Sequence, residues 1–114
     1  MDPRTTVKQN YEFRRIYAKG ISGVSPYLVV YCRKNSRGQS RVGFTVSAKI
    51  GHAVVRNRIR RRFRELYRLH LPQFKPGFDV IVVARGRAAQ ATYRELEQAY
   101  LRVCRKLPVW SETE

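Results

Sequence analysis

The sequence predicts a small α+β fold, a two-layer α/β sandwich in the order α-β-β-α-β-α with room for one extra short strand. Three observations predict it. Apolar residues recur at helical spacing in three segments, and β-branched or aromatic runs fill the segments between them. A length of 114 residues supplies one hydrophobic core and leaves no room for a second. Residues 1–114 are therefore read as a single domain, with 1–9 and 109–114 as flexible ends.

The first helix is expected from Asn10 to Lys19, where Phe13, Ile16 and Tyr17 share a face, Asn10 caps the start and Gly20 suits the end. Tyr27 to Cys32, after Pro26, reads as a strand, as does Arg41 to Ser47 with its alternation of Val42, Phe44 and Val46 against Gly43, Thr45 and Ser47. A long helix follows from Val54 to His70, because Val55, Ile59, Phe63, Leu66 and His70 recur every three or four residues until Pro72. Phe78 to Ala84 is almost continuously apolar apart from Asp79 and reads as a buried central strand. The last helix opens on the capping box Thr92-x-x-Glu95 and buries Tyr93, Leu96, Tyr100, Val103, Cys104 and Leu107 before Pro108.

Composition narrows the function. The chain carries 24 Lys and Arg against 8 Asp and Glu, a formal net charge of +16. Self-repulsion of that size burdens an isolated fold and points to a polyanionic partner. No apolar run is long enough to cross a membrane, and Met1-Asp2-Pro3-Arg4 lacks the apolar centre of a signal peptide, so a cytoplasmic location is expected. Cys32 and Cys104 lie far apart in apolar stretches and are expected as buried free thiols. The interval from Phe13 to Arg64 contains 14 basic residues and not one carboxylate. A single-sign stretch crossing several elements suits the neutralisation of phosphates better than an ordinary solvated surface.

The sharpest motif lies inside that interval. On a helix, Arg56, Arg60, Arg64, Asn57, Arg68 and Arg61 fan over about 140° beside the apolar stripe. Guanidiniums so crowded repel one another until an anion intervenes, and each can give a forked pair of hydrogen bonds to phosphate. Asn57 adds a donor and an acceptor for a base edge or sugar. Ahead of the motif, Ser47-Ala48-Lys49-Ile50-Gly51-His52 joins strand to helix with small residues and one lysine. A helix N-terminus beside such a loop can meet a phosphate or a nucleic-acid-bound ion, but one imidazole without nearby carboxylates makes no metal site, and His52 reads first as a partly exposed loop residue.

Aromatic residues give an independent indication. Strand alternation puts Tyr27, Val29 and Tyr31 on one face and sets Thr45 and Ser47 opposite Val42, Phe44 and Val46, and Phe13 and Tyr17, one helical turn apart, could wall a cleft floored by Tyr31. Such clefts suit single-stranded nucleic acid, whose bases stack on rings while cations hold the backbone; packing in the core is the competing reading for each ring. Clustered carboxylates for metal-assisted cleavage, a Gly-rich phosphate loop and a nucleophilic triad are all missing from the sequence, which reads as a binder rather than a catalyst.

The run Arg41-Val42-Gly43-Phe44-Thr45-Val46-Ser47-Ala48-Lys49-Ile50-Gly51-His52-Ala53-Val54-Val55-Arg56-Asn57-Arg58-Ile59-Arg60-Arg61 resembles the signature of the bacterial ribonuclease P protein subunit family, and the likeness extends from Phe13 to Thr92-Tyr93. The resemblance implies a subunit that binds a large catalytic RNA, which with its magnesium ions removes the 5′ leader of precursor tRNA. It implies that Lys49, Arg56, Asn57, Arg58, Arg60, Arg61, Arg64 and Arg68 meet the catalytic RNA, that Phe13, Tyr17, Tyr31 and Thr45 hold the leader, and that the protein alone has no catalytic centre. No obligate protein partner and no membrane are expected. It also implies a left-handed crossover between parallel strands around the basic helix, an exception to the usual hand. His52 stands where that family commonly has Asn, Tyr17 where it often has Phe, and the basic extension before the first helix is short, with Arg4 and Lys8. The competing readings are a structural RNA-binding protein of ribosomal type, a DNA-binding module using the basic helix in a major groove, and an autonomous nuclease.

Overall fold

The computed structural model describes residues 5–111. Helix α1 (Asn10–Lys19) is followed by β1 (Ile21–Val24), β2 (Leu28–Lys34), β3 (Arg41–Thr45), α2 (Ala53–His70), β4 (Phe78–Ala84) and α3 (Tyr93–Cys104), with 3₁₀ turns at Ala48–Ile50, Leu71–Gln73 and Gly86–Ala89. The four strands form one mixed sheet in the order β1-β2-β4-β3. β2 pairs antiparallel with β1 and with β4, whereas β3 lies parallel to β4, with Arg41 opposite Asp79 and Thr45 opposite Val83. Parallel neighbours cannot be joined by a tight turn, and α2 is the crossover that links them.

The apolar run of β4 reflects its central place, buried on both faces. Val80, Val82 and Ala84 face the main core, where Ile59, Phe63 and Leu66 of α2 and Leu96, Tyr100 and Val103 of α3 close over Leu28, Val30 and Val42. Each such side chain contributes about 1.5–3 kcal/mol by leaving water. Ile81 faces the opposite side and packs with Val7 and Ile16 under α1, with Phe13, Tyr31 and Val83 half-buried around them. Cys32 and Cys104 are buried free thiols.

Several expectations need correction. α1 is capped by Gln9, whose N–H donates to the Glu12 carboxylate at 3.3 Å, and not by Asn10. A fourth strand, β1, follows α1 directly and fills the place of the extra short strand; its mostly exposed residues carry no clear alternation to mark it in the sequence. β2 begins one residue after Tyr27 and runs on to Lys34, β3 stops at Thr45 rather than Ser47, and α3 ends at Cys104, leaving Leu107 buried in the turn beyond. Gly20 ends α1 because of close approach: a Cβ there would stand 2.5 Å from the Ile16 carbonyl oxygen and 2.9 Å from that of Cys32. Within the ends expected to be flexible, Val7 is buried and its N–H donates to the Val42 carbonyl at 2.9 Å, while Val109 is buried and Ser111 donates to Gln73 at 2.7 Å. Apolar side chains and backbone pairing thus pin residues 5–9 and 109–111; residues 1–4 and 112–114 lie outside the described residues.

Candidate nucleic-acid interface

α2 separates its arginines by the job each side of the helix does. The flank predicted to meet phosphate holds Asn57, Arg61, Arg64 and Arg68, all exposed, with Arg56 and Arg60 half-exposed at its inner margin. Arg56 Nε donates to the Gly51 carbonyl at 3.1 Å, and Arg60 to Asn57 Oδ1 at 3.2 Å, so the motif's own residues hold these guanidiniums in place. Arg68 is paired with Glu65 at 2.7 Å, and this bond holds the Glu65 carboxyl below its ordinary range. Arg61 and Arg64 have no such partner among the described residues.

The opposite flank is structural. Arg58 donates to the Ala89 carbonyl at 2.9 Å and Arg62 to that of Ala91 at 3.0 Å, tying α2 to the segment that leads into α3. Arg58, expected at the RNA surface, therefore spends a hydrogen bond inside the fold, on the flank away from Arg61 and Arg64. Its angular position, about 200° from Arg56 on the helical wheel, was the available signal.

Lys49 is exposed in the 3₁₀ turn before α2, where Ser47 Oγ accepts the Lys49 N–H at 3.2 Å. His52 caps α2 through its backbone carbonyl, which accepts from Arg56 N–H at 3.0 Å, and its ring makes no capping bond. His70, on the half-buried side of α2, is occupied with Glu97 at 2.9 Å.

The aromatic cleft forms between α1 and the sheet. Tyr17 stands edge-on to Tyr31 with ring centres 4.8 Å apart, Phe13 lies 6.2 Å further along α1, and the Tyr17 hydroxyl and Thr45 Oγ1 are 3.0 Å apart. All four predicted residues therefore come together. Gly43 makes the arrangement possible, because a Cβ there would stand 2.8 Å from the Phe13 ring. The open side is lined by Asn10, Phe13, Arg14, Tyr17 and Thr45, which adds Asn10 and Arg14 to the expected set. Their spacing, one turn from Phe13 and Tyr17, was the signal for both. Tyr27 is not part of the cleft: it precedes β2, packs against the main core, and donates its hydroxyl to Glu95 at 3.3 Å.

A buried ion cluster fixes α1 to the strand ends on the side of the helix away from this cleft. Arg41 donates Nε to Asp79 Oδ1 at 2.9 Å and one terminal nitrogen to Oδ2 at 2.8 Å, and the other terminal nitrogen to Glu12 at 2.8 Å. Burial alone would push the Glu12 carboxyl up, but the bonds from Arg41 and the Gln9 N–H, with the Arg41 charge, hold it below its ordinary value; the same cluster pushes Arg41 up. The lone carboxylate in an apolar strand, Asp79, was the sequence signal for a buried cation partner.

The ribonuclease P family model matches residues 1–108 of the chain. Among curated relatives, the ribonuclease P protein component of Natranaerobius thermophilus is 40% identical over 106 residues, covering 93% of this chain and 92% of that protein. That of Thermoanaerobacter pseudethanolicus is 40% identical over 108 residues, covering 95% and 93%. Among solved structures, the Staphylococcus aureus RNase P protein superposes with a TM-score of 0.86 at 34% identity, covering 94% of this chain and 98% of that one. The Thermotoga maritima RNase P protein gives 0.77 at 29% identity, covering 85% and 92%. With the family model matching nearly the whole chain, relatives 40% identical over more than nine-tenths of both sequences and the same overall fold in the solved structures, the chain belongs to the ribonuclease P protein family.

Proposed function

We propose that the chain is the protein subunit of ribonuclease P, that it binds the catalytic RNA through Lys49 and the exposed flank of α2, and that it holds the 5′ leader of precursor tRNA in the cleft of Phe13, Tyr17, Tyr31 and Thr45. The observation that carries this reading is the cleft: the Phe13 and Tyr17 rings and the Thr45 hydroxyl line an open depression with Arg14 at its rim, and Tyr31 backs it edge-on to Tyr17. Bases stack on such rings with little sequence preference, which suits a leader whose sequence differs from one tRNA to the next. The arginine flank lowers repulsion between two RNAs by supplying counter-charge at their junction. A cytoplasmic location belongs to the same reading, since precursor tRNA is its substrate.

Magnesium belongs to this reading as an ion of the RNA. The described carboxylates do not fit it: Glu12 and Asp79 face Arg41, Glu65 faces Arg68, Glu97 faces His70, and Glu95 closes the α3 cap. The protein's part is to bind and orient. Adding the protein to bacterial ribonuclease P RNA at low magnesium, with precursor tRNAs bearing long or very short leaders, tests the reading. Stimulation that depends on the leader is expected. Tight RNA binding with no stimulation would replace it with a structural RNA-binding role, and cleavage by protein free of RNA would make it an autonomous nuclease.

A further inference from the structure

A second depression, of about 300 Å3, lies across α1 from the aromatic cleft, with Arg15, Arg33, Lys34 and Arg37 around the buried Glu12-Arg41-Asp79 cluster. Its charges do not cancel. Arg41 and Arg37 balance Asp79 and Glu12, at 2.8 Å and 3.7 Å. Arg15, Arg33 and Lys34 have no carboxylate partner among the described residues.

The surrounding loop is built rather than loose. Asn35 Nδ2 donates to Asp79 at 2.8 Å and to the Gln39 carbonyl at 3.1 Å, while its Oδ1 accepts the Arg37 N–H at 2.9 Å. The Asn35 N–H donates to Gly77 at 2.7 Å, and Gly38 takes a φ of 71° that a side chain would resist. Between this pocket and the cleft, the outer face of α1 presents Tyr11, 55% exposed, with the Arg15 guanidinium 5.8 Å from its ring centre. An aromatic ring so exposed contributes little to the core and is available for stacking.

We propose that the pocket of Arg15, Arg33, Lys34 and Arg37 takes phosphodiesters from the same single strand whose nearer nucleotides fill the cleft, so that the leader is gripped on both sides of α1. The inference rests on the leader-binding reading of the cleft. A helix with its side chains is about 10–12 Å across, a distance a flexible single strand bridges in a few nucleotides and a stiff duplex cannot fold over. Tyr11 and Arg15 lie on that path, offering one ring and one charge to the passing strand.

The test compares reconstituted holoenzyme carrying wild-type protein with holoenzyme carrying Arg33→Gln and Lys34→Gln together, on precursors with leaders of about 4 and about 12 nucleotides. Wild type is expected to bind the longer leader more tightly. The double variant is expected to lose that gain by roughly three- to tenfold and to show a salt dependence shallower by about 1.4 on the longer leader, with the short-leader Kd unchanged. Tyr11→Ala, at an exposed position that the fold tolerates, is expected to lose part of the same gain. Equal losses on both leaders and on mature tRNA would overturn the inference and assign the pocket to the catalytic RNA; unchanged binding would leave it a solvated face. A wild type indifferent to any leader overturns the cleft reading as well, whereas a preference that saturates at the short leader overturns only the second grip.

Discussion

The two faces of the sheet use aromatic residues in opposite ways. On the face covered by α2 and α3, the rings of Phe44, Tyr67, Phe74, Tyr100 and Trp110 interlock at 6.0–6.5 Å. Tyr100 is fully buried, and desolvation raises its hydroxyl pKa well above the ordinary value; Tyr67 is pushed up to about 12 by burial and then by Asp79. On the face covered by α1, the comparable rings are only partly covered: Tyr17 is exposed, and Phe13 and Tyr31 are half-buried. The difference is one of coverage: two helices close one face and a single ten-residue helix cannot close the other. Residue type is thus a poor guide to the role of a ring. What decides is whether a second element is present to exclude water.

Substitutions can break this contrast. Phe63→Ala, in the closed face, should cost about 3–5 kcal/mol of stability by leaving a cavity, read by denaturant unfolding, with the remaining folded protein binding RNA normally. Arg41→Met should cost about 3–5 kcal/mol, because Asp79 would be left buried without a cation and Glu12 would keep only the exposed Arg37 at 3.7 Å. Its pH dependence carries a definite sign. Glu12 is held below its ordinary value in the fold, so its stabilisation is full above the ordinary carboxylate range and is lost as pH falls through the lowered value. The stability gap between wild type and Arg41→Met should therefore narrow on acidification, and a gap that widened would refute the ion cluster's role.

Smaller effects belong to the open face. Tyr31→Ala should cost about 1–3 kcal/mol of affinity for leader-bearing tRNA and leave mature tRNA nearly untouched, as measured by competition binding. Equal losses on both would place the ring in the core instead. Arg61→Ala and Arg64→Ala should change stability by no more than about 0.5 kcal/mol. Each should make the salt dependence of binding to the catalytic RNA shallower by about 0.7–0.9, whereas Arg62→Ala should act chiefly on stability through its bond to Ala91.

Local chemistry made much of this legible in advance. The Thr92-Glu95 capping box, the apolar run of β4 and the three-and-four spacing of α2 each depend on residues close in sequence, and each element lies where that spacing puts it. Phe13, Tyr17 and Tyr31 of the cleft were legible because period-2 and period-3.6 arithmetic gives faces, whereas Thr45 entered through the family resemblance. Long-range pairing was not. The Arg41-Asp79-Glu12 cluster does not follow from spacing, and although the wheel sets Arg58 outside the fan, its partner, the Ala89 carbonyl, lies 31 residues away. β1 escaped because an edge strand of mixed exposure has no periodicity to display.

The parallel pairing of β3 with β4 has a kinetic consequence. Arg41 meets Asp79 and Thr45 meets Val83 only after the chain between them has formed α2 and crossed the sheet. Pairing across such sequence separation is slow, because loop-closure entropy is lost before any contact rewards it. Gly43 and Thr45, which complete the cleft, sit on that strand. The lifetime of the cleft is therefore the lifetime of β3 at the sheet edge, and amide hydrogen exchange in Val42 to Thr45 would time how long the molecule stays able to hold a strand of RNA.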